Sequence, residues 1–272
     1  MTFIFRTLLS HSIQSTVASL SLQMHIFFMI KELEAAAQEL IEELAPLSFS
    51  DPVSHTYNPL EYAWAPHREY LQRFAATKKR VFFLGMNPGP WGMAQIGVPF
   101  GEIPAVRDWM KITDAVDKPA NEHPKRPIEG FDCTRSEVSG RRLWGLFAER
   151  YPNADDFFAD HFVSNFCPLV WMGETGRNIT PDKLPKSESA PVDMACRKHL
   201  AKQIELLNPE FLIGVGAFAE KQLKATVKEY FPEKDFKIGK ILHPSPASPA
   251  ANKGWPAVPE QQLIDLGIWS AK

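Results

Sequence analysis

Short apolar runs alternate along the chain with longer stretches in which apolar residues recur at helical spacing. Four runs are typical of buried strands and occupy residues 80–85, 161–165, 211–215 and 237–242. Seven stretches have the pattern of helices: residues 30–47, 64–74, 105–112, 137–151, 192–207, 217–227 and a last one that ends near 266. Because strands and helices alternate, we expect an α/β fold, a three-layer α/β/α sandwich with a central, mostly parallel four-stranded sheet.

A single domain is expected from residue 30 to residue 272, because neither an internal repeat nor a second core is visible. Residues 1–29 are predicted to be an N-terminal extension. Their apolar runs are broken by Ser, Gln and His, so the segment falls short of a membrane-spanning helix. It is either a targeting peptide or sequence upstream of the true start, and Met24 and Met29 favour the second interpretation.

Composition and charge are those of an ordinary globular protein, with 44% hydrophobic residues, 23% charged residues and a formal net charge of −2. The absence of a global basic excess argues weakly against a nucleic-acid partner. The charge is uneven, however. Residues 31–45 hold five Glu and one Lys, a net of −4, which leaves +2 for the rest of the chain and permits a locally basic face.

The three cysteines, Cys133, Cys167 and Cys196, are odd in number and form no CxxC pair. A disulfide framework, a zinc site and a four-thiolate iron–sulfur cluster are therefore improbable. We expect buried free thiols in a reducing compartment, and neither a metal nor a cofactor. The expected location is cytoplasmic in a bacterium or nuclear in a eukaryote, with a targeting signal within residues 1–29 left open.

The segment 81–101 carries the strongest local signal. After a predicted strand it continues as a loop with four glycines and three prolines, and Asn87 stands just past the strand end. Glycine lets backbone approach a ligand closely, and proline holds a loop rigid. In open α/β sheets, ligands bind at the carboxyl ends of the strands. The pattern indicates a rigid, ligand-facing loop.

Two more polar residues follow predicted strands in the same way, Asn165 and His243. Because the carboxyl ends of parallel strands share one edge of a sheet, we expect Asn87, Asn165 and His243 to converge. Taken singly, each has an ordinary structural explanation as a turn, a helix cap or a packed histidine. No carboxylate stands at these positions, which argues against the paired-acid mechanism of glycosidases. The motifs GxSxG, Walker A and GxGxxG are absent at the corresponding places.

Two amides and one imidazole restrict the chemistry that such a site can perform. An amide can orient a water molecule but cannot deprotonate it, so the leaving group must depart readily. Hydrogen-bond donors that stabilise the departing anion would then supply much of the rate. Cleavage of the N-glycosidic bond of a pyrimidine nucleotide meets this description, since an asparagine amide pairs with the O4 and N3–H edge of uracil.

Several blocks of sequence resemble the single-strand-selective monofunctional uracil-DNA glycosylases of the uracil-DNA glycosylase superfamily. They include GMNPGP at 85–90, GVPFG at 97–101, SNFCPL at 164–169 and HPSP at 243–246, and the resemblance spans roughly residues 48 to 266. It implies a monomeric base-excision-repair enzyme that needs no metal. Its substrates would be uracil and 5-substituted uracils, such as 5-hydroxymethyluracil, in single- and double-stranded DNA.

The resemblance also implies a role for individual pocket residues. Asn87 would position the hydrolytic water, and His243 would donate to uracil O2 as negative charge builds on the base. Asn165 would read the O4 and N3 edge, Phe100 would stack on the flipped base and the Met86 backbone would face it. Gly89 would leave room at the pyrimidine 5-position, where related enzymes carry a bulky side chain.

A stiff segment rich in Pro, Ala and Ser follows His243 and is suited to hold a duplex open after base flipping. Its candidate DNA contacts are Pro244, Ser245, Pro246, Ala247, Asn252 and Lys253. Many family members carry Arg where this chain has Ala247, so duplex uracil is expected to be the poorer substrate. Candidate phosphate contacts elsewhere are Lys125, Arg126, Arg141, Arg142 and Arg177.

Two alternatives remain open from the residues alone. The same amide and imidazole contacts would suit xanthine or hypoxanthine. A DNA-binding relative that has lost catalysis is the second alternative, although the intact Asn87 and His243 count against it.

Overall fold

The computed structural model describes residues 2–271, and of residues 2–20 and 22 it describes the backbone only. Its strands are β1 (His55–Tyr57), β2 (Val81–Gly85), β3 (His161–Asn165), β4 (Val170–Met172), β5 (Asn178–Ile179), β6 (Phe211–Val215) and β7 (Lys237–Ile241). Its α-helices are α1 (Thr2–Leu44), α2 (Pro59–Tyr62), α3 (Trp64–Phe74), α4 (Met93–Ile96), α5 (Val138–Arg150), α6 (Ala154–Asp160), α7 (Lys186–Leu207), α8 (Ala217–Tyr230), α9 (Pro249–Gly254) and α10 (Ala257–Asp265).

The four predicted strands form one sheet in the order β3-β2-β6-β7. Every neighbouring pair is parallel, and the register places Gly85 at the end of β2 opposite Asn165 at the end of β3. The inner strands β2 and β6 are buried along their whole length, as expected where helices cover both faces.

Consecutive residues of β2 show how the layers are arranged. Phe83 meets Phe147 of α5, with ring centroids 5.1 Å apart. Phe82 points to the other face and meets Phe162 of β3 at 6.1 Å. Phe162 in turn packs on Tyr70 of α3 at 5.2 Å. Helices thus lie on both faces, and the predicted three-layer α/β/α sandwich is confirmed.

A second, smaller sheet was not predicted from the sequence. Strands β1, β4 and β5 pair in that order, and both pairings are antiparallel. Each strand has only two or three residues, too few to show alternation of apolar and polar positions. The sheet matters for the site because β5 brings Asn178 to the edge of the pocket described below.

The first helix is longer than predicted, since α1 begins at Thr2 instead of residue 30. Among its described side chains, burial begins at Met29, whereas Met24, Phe27 and Phe28 are more than half exposed. The division between an extension (1–29) and a domain (30–272) stays a prediction, and the side chains of residues 1–20 and 22 lie outside the described residues. Within the described chain, no helix is both long and apolar enough to cross a membrane.

Other segments also differ from their predicted structure. Helix α7 begins at Lys186, six residues before the predicted start, and contains Pro191. The segment Ala105–Trp109 is a π-helical turn instead of an α-helix. Part of the segment after His243, predicted as a stiff coil, forms α9, whose first turn is capped by the Ser248 hydroxyl accepting from Ala251 N at 3.3 Å.

Candidate active site

A pocket of about 260 Å³ opens at the carboxyl edge of the central sheet. Its size is just below the roughly 300–1,000 Å³ of ordinary small-molecule sites. The expected convergence is present, since Asn87, Asn165 and His243 all line this one pocket. The other lining residues are Met86, Pro88, Gly89, Pro90, Met93, Phe100, Glu137, Ser139, Asn178, Thr180, Ser245 and Pro246.

Asn87 lies two residues beyond β2, and its amide is held in one orientation. Its Nδ2 donates a hydrogen bond to the carbonyl oxygen of Leu169 at 3.1 Å. Leu169 belongs to the segment between β3 and β4, so this bond ties the loop that follows β2 (residues 86–101, the Gly/Pro loop) to that segment. With Nδ2 engaged, Oδ1 is the atom of Asn87 that remains to accept a hydrogen bond from a ligand or water.

Asn165 ends β3 with an unsatisfied acceptor. Its Nδ2 donates to the thioether sulfur of Met93 at 3.3 Å, a weak acceptor. Its Oδ1 is buried and has no hydrogen-bond partner among the described residues. A Cβ on the neighbouring Gly85 would overlap Asn165 Oδ1 and the Phe100 ring, so a glycine at this position is required for both side chains to enter the pocket.

Phe100 lies on the pocket wall with a left-handed backbone, φ 53°. This conformation is rare for an aromatic residue and costs on the order of 1–2 kcal/mol. Trp144 on α5 holds it in place, since its Nε1 donates to the Phe100 carbonyl oxygen at 3.1 Å. The ring is 9% exposed, and its centroid lies 6.5 Å from that of His243.

His243 lies two residues beyond β7 and is fixed as one tautomer. The backbone N–H of Ser245 donates to His243 Nδ1 at 3.1 Å. A neutral imidazole carries a single ring proton, which this bond places on Nε2. Burial lowers the pKa of His243 and so favours the neutral form. Gly216 makes room for the ring, because a Cβ there would lie 3.0 Å from His243 Cβ.

Arg142 on α5 fastens the segment after His243. Its Nη1 donates to the carbonyl oxygens of Pro244 and Ser245 at 3.1 and 3.3 Å. Its Nη2 donates to Asn252 Oδ1 at 2.8 Å, and Asn252 Nδ2 donates to the Pro246 carbonyl at 2.9 Å. Arg142, a candidate phosphate contact from the sequence, therefore donates three hydrogen bonds within the protein, and its contact with DNA stays a prediction. Asn252, too, is engaged within the protein, although its contact with DNA stays a prediction.

The remaining candidate DNA contacts differ in accessibility. Pro244 is buried and Ser245 half-buried, whereas Pro246, Ala247 and Lys253 are exposed. The segment therefore presents its tip, residues 246 and 247, to solvent beside the pocket mouth. That placement is compatible with a wedge that enters a duplex.

A carboxylate lies in the pocket, although none stands at the three strand ends. Glu137, just before α5, is the acidic residue among the side chains that line it. A Cβ on Gly89 would overlap Glu137 Oε2 and lie 2.9 Å from Cδ. The space beside Gly89, expected to be open, is therefore occupied by this side chain. The sequence pattern did not indicate Glu137 as a pocket residue, because no predicted strand ends near it.

Two arginine side chains lie over the ring of Trp91, next to the pocket residue Pro90. The guanidinium carbons of Arg126 and Arg135 lie 4.8 and 5.1 Å from the centre of the Trp91 ring. Arg126 Nε also donates to the Gly176 carbonyl at 2.9 Å. Lys125, Arg141 and Arg177 are exposed, as a phosphate contact requires.

A larger cavity, about 940 Å³, adjoins the pocket and shares Asn178 and Thr180 with it. Its lining includes acidic and basic side chains, those of Asp51, Glu174, Arg177 and Lys183. None of the three strand-end residues lines it. We therefore assign the site to the smaller pocket, which holds the convergent polar groups.

The three cysteines are buried free thiols, as predicted. In the part of the chain that the structure describes, no group of three or more His, Cys, Asp or Glu side chains is arranged to hold a metal ion.

Known proteins give the class of this site. Residues 72–261 match the family model described as the uracil DNA glycosylase superfamily. The fold agrees with the crystal structure of the wild-type SMUG2 protein of Pedobacter heparinus, which is 18% identical with a TM-score of 0.56. That match covers 86% of this chain and 95% of the other.

Similar sequences narrow the class further. The single-strand selective monofunctional uracil DNA glycosylase of Bos taurus is 47% identical over 84% of this chain and 84% of its own length. The corresponding proteins of Rattus norvegicus and Mus musculus are 46% and 45% identical, each over 83% of this chain and over 81% and 80% of their own lengths. The chain belongs to the single-strand-selective monofunctional uracil-DNA glycosylase family. The predictions of the family and of an enzyme of the DNA-glycosylase class are confirmed.

Proposed function

We propose that this protein hydrolyses the N-glycosidic bond of uracil in DNA, in single strands and in duplexes, acting as a monomer on a base flipped out of its stack. The observation that carries the proposal is the convergence of Asn87, Asn165 and His243 in one pocket at the sheet edge. The family supports the same substrate, since its members in cattle, rat and mouse are named for uracil in DNA. The pocket volume of about 260 Å³ is sufficient for a single base.

Asn87 positions the hydrolytic water. Its Nδ2 is committed to Leu169, so Oδ1 accepts a hydrogen bond from the water and holds it below the sugar. The amide does not remove a proton. Catalysis therefore relies on a leaving group that departs early, with positive charge developing on the sugar.

His243 stabilises the departing base. Its Nε2–H, fixed by the bond from Ser245 to Nδ1, donates to uracil O2 as negative charge builds there. A neutral imidazole suits this role, because it stabilises the anionic base by donating a hydrogen bond and does not have to transfer the proton. One preorganised donor of this kind is worth about 10²–10³ in rate.

Asn165 selects the base. Its unpartnered Oδ1 accepts from uracil N3–H, and its Nδ2 exchanges the weak sulfur acceptor of Met93 for uracil O4. Cytosine offers an acceptor at N3 and a donor at N4, so it would leave both groups of Asn165 mismatched. Mismatched buried polar groups give strong discrimination.

Stacking and backbone contacts complete base binding. Phe100, held by Trp144, stacks on the flipped base, and the Met86 backbone faces it. Gly89 has no side chain of its own at the pyrimidine 5-position, where the neighbouring group is the polar side chain of Glu137, and we include 5-hydroxymethyluracil as a second substrate.

The segment after His243 contacts DNA. Pro244, Ser245, Pro246 and Ala247 form the wedge that holds the duplex open, with Asn252 and Lys253 on α9 beside it. Exposed Pro246 and Ala247 lie at its tip. Because Ala247 adds neither charge nor length, duplex uracil is cut more slowly than single-stranded uracil.

Base release from oligonucleotides tests this function. Single-stranded and duplex DNA carrying uracil, 5-hydroxymethyluracil, xanthine or hypoxanthine is incubated with the enzyme, and the free base is quantified. We expect release of uracil and 5-hydroxymethyluracil, with Asn87→Ala and His243→Ala each losing most activity. Asn121→Ala, at an exposed asparagine outside the pocket, is the matched control.

Three results would contradict the proposal. Full activity in both pocket variants would refute the site assignment. Preferential release of xanthine or hypoxanthine would refute the substrate. Binding of uracil-containing DNA without release of any base would identify a non-catalytic relative.

A further inference from the structure

Glu137 places an acidic group at one particular point of the base pocket, next to Gly89. Its carboxylate fills the space that a side chain at position 89 would take, since a Gly89 Cβ would overlap Oε2. Its stem lies against Gly92, where a Cβ would be 2.8 Å from Glu137 Cγ. Two glycines of the Gly/Pro loop thus accommodate one glutamate from another part of the chain.

The surroundings hold this carboxylate in place. The backbone N–H of Glu137 donates to Glu102 Oε2 at 2.6 Å, and Ser136 Oγ donates to Glu102 Oε1 at 2.9 Å. Hydrogen bonds from the backbone at Ser139 and Trp91 stabilise the ionised form. Burial acts more strongly and, together with Glu102, raises the pKa of Glu137.

The position of the base in the proposed function determines what Glu137 meets. With the O4 and N3 edge on Asn165 and O2 toward His243, the 5-position lies beside O4. It then points to the wall formed by Gly89 and Glu137, both of which line the pocket. A substituent at that position therefore reaches a half-buried acceptor.

We propose that Glu137 is a specificity-determining residue that accepts a hydrogen bond from a donor group on the 5-substituent of the base. The inference rests on the proposed function and adds a selection rule to it. A 5-hydroxymethyl group donates its O–H to the carboxylate. A 5-methyl group, as in thymine, covers the carboxylate without giving it a partner, and a 5-carboxyl group brings a second negative charge against it; both are disfavoured.

Glu137→Gln tests the rule, because glutamine keeps the shape and one acceptor oxygen but removes the charge. Single-turnover rates are measured on single-stranded DNA carrying uracil, 5-hydroxymethyluracil or 5-carboxyuracil. We expect the rate ratio of 5-hydroxymethyluracil to uracil to fall about ten- to a hundredfold, the range of a hydrogen bond to a charged group. The ratio of 5-carboxyuracil to uracil should rise.

A binding measurement separates recognition from chemistry and from folding. Oligonucleotides with a non-hydrolysable 2′-fluoro nucleotide of uracil, 5-methyluracil or 5-hydroxymethyluracil are titrated into wild type, Glu137→Gln and Glu137→Ala, and each variant's thermal midpoint is recorded. Both variants should lose the preference for the hydroxymethyl base. Glu137→Ala also opens space beside Gly89, so it should gain binding of the 5-methyl base.

A merely structural role of Glu137 predicts something different. If Glu137 only supported the loop, its substitution would lower the rates for all bases by the same factor and leave both rate ratios unchanged. That result would overturn the proposal. Wild-type enzyme that releases uracil but discriminates against 5-hydroxymethyluracil would overturn it as well. Wild-type enzyme that releases no uracil would instead refute the proposed function.

Discussion

The backbone N–H of Ser245 donates to Nδ1 of His243, two residues earlier in the chain, at 3.1 Å. This contact determines which ring nitrogen carries the proton without help from a carboxylate. Enzymes that use histidine as a base commonly orient it with an acidic partner. Here the imidazole is kept neutral and serves as a donor.

The first prediction concerns that tautomer. At neutral pH, ¹⁵N NMR of the imidazole should show His243 Nδ1 without a proton and Nε2 with one. His243→Ala should lower the single-turnover rate on uracil about 10²–10³-fold, because one donor to the leaving base is lost. A spectrum with the proton on Nδ1 would contradict the assignment.

The second prediction concerns Arg142, which ties the segment after His243 to α5. Arg142→Ala should slow base release about tenfold while leaving the salt dependence of DNA binding unchanged. Lys228→Ala removes one positive charge at an exposed position on α8, outside the pocket, and should leave the rate near that of wild type. A salt slope reduced by about 0.7 in Arg142→Ala would instead show a phosphate contact.

The third prediction uses two glycines of α5. A Cβ on Gly140 would overlap the Phe100 carbonyl, whereas one on Gly145 meets nothing within 4 Å. Gly140→Ala should destabilise the protein by about 1–3 kcal/mol through overpacking. Gly145→Ala should stabilise it by up to about 1 kcal/mol through helix propensity. Urea denaturation measures both, and equal effects would contradict the packing described for Phe100.

The fourth prediction is loss of stability in weak acid. Burial lowers the pKa of His67, His161 and His199 to about 4. Their unfolded pKa is about 6.5, so between these values the unfolded state binds more protons and stability falls as the pH falls. By pH 4, each of these histidines has lowered the free energy of unfolding by on the order of 3 kcal/mol. Urea midpoints at pH 7, 6 and 5 should decrease, and His199→Gln, which keeps a donor for the Ala36 carbonyl, should flatten the trend.

The fifth prediction concerns strand preference. Ala247→Arg should raise the rate on duplex uracil several-fold relative to single-stranded uracil, since arginine can enter the helix and contact phosphate. Ala250→Arg adds the same charge at an exposed position on α9 and should leave the ratio unchanged. Equal gains in both variants would show a general charge effect instead of a wedge.

Elements with a clear pattern of apolar positions were predictable from the sequence. Strands β3 and β6 and helix α3 have the predicted bounds, and β2 and β7 differ by one residue. Their buried side chains give a strong period, and breakers such as Asn208 and Pro209 mark the ends. The edge shared by Asn87, Asn165 and His243 followed from parallel topology alone.

Features that depend on contacts distant in sequence could not be predicted in this way. The strands of the small sheet are too short for a period. Glu137 enters the pocket only because α5 packs beside the Gly/Pro loop. The role of Arg142 depends on three acceptors far along the chain, whereas charge alone suggested phosphate.

The unpaired Oδ1 of Asn165 has a thermodynamic consequence for the free enzyme. A buried acceptor without a partner costs about 1–3 kcal/mol, so a base whose N3–H donates to this oxygen contributes up to that amount to binding. Occupancy of the pocket by a matching base therefore supplies the hydrogen-bond donor that the described protein groups do not give to this oxygen. The free product should raise the melting temperature, and the enzyme should be inhibited by the base that it releases.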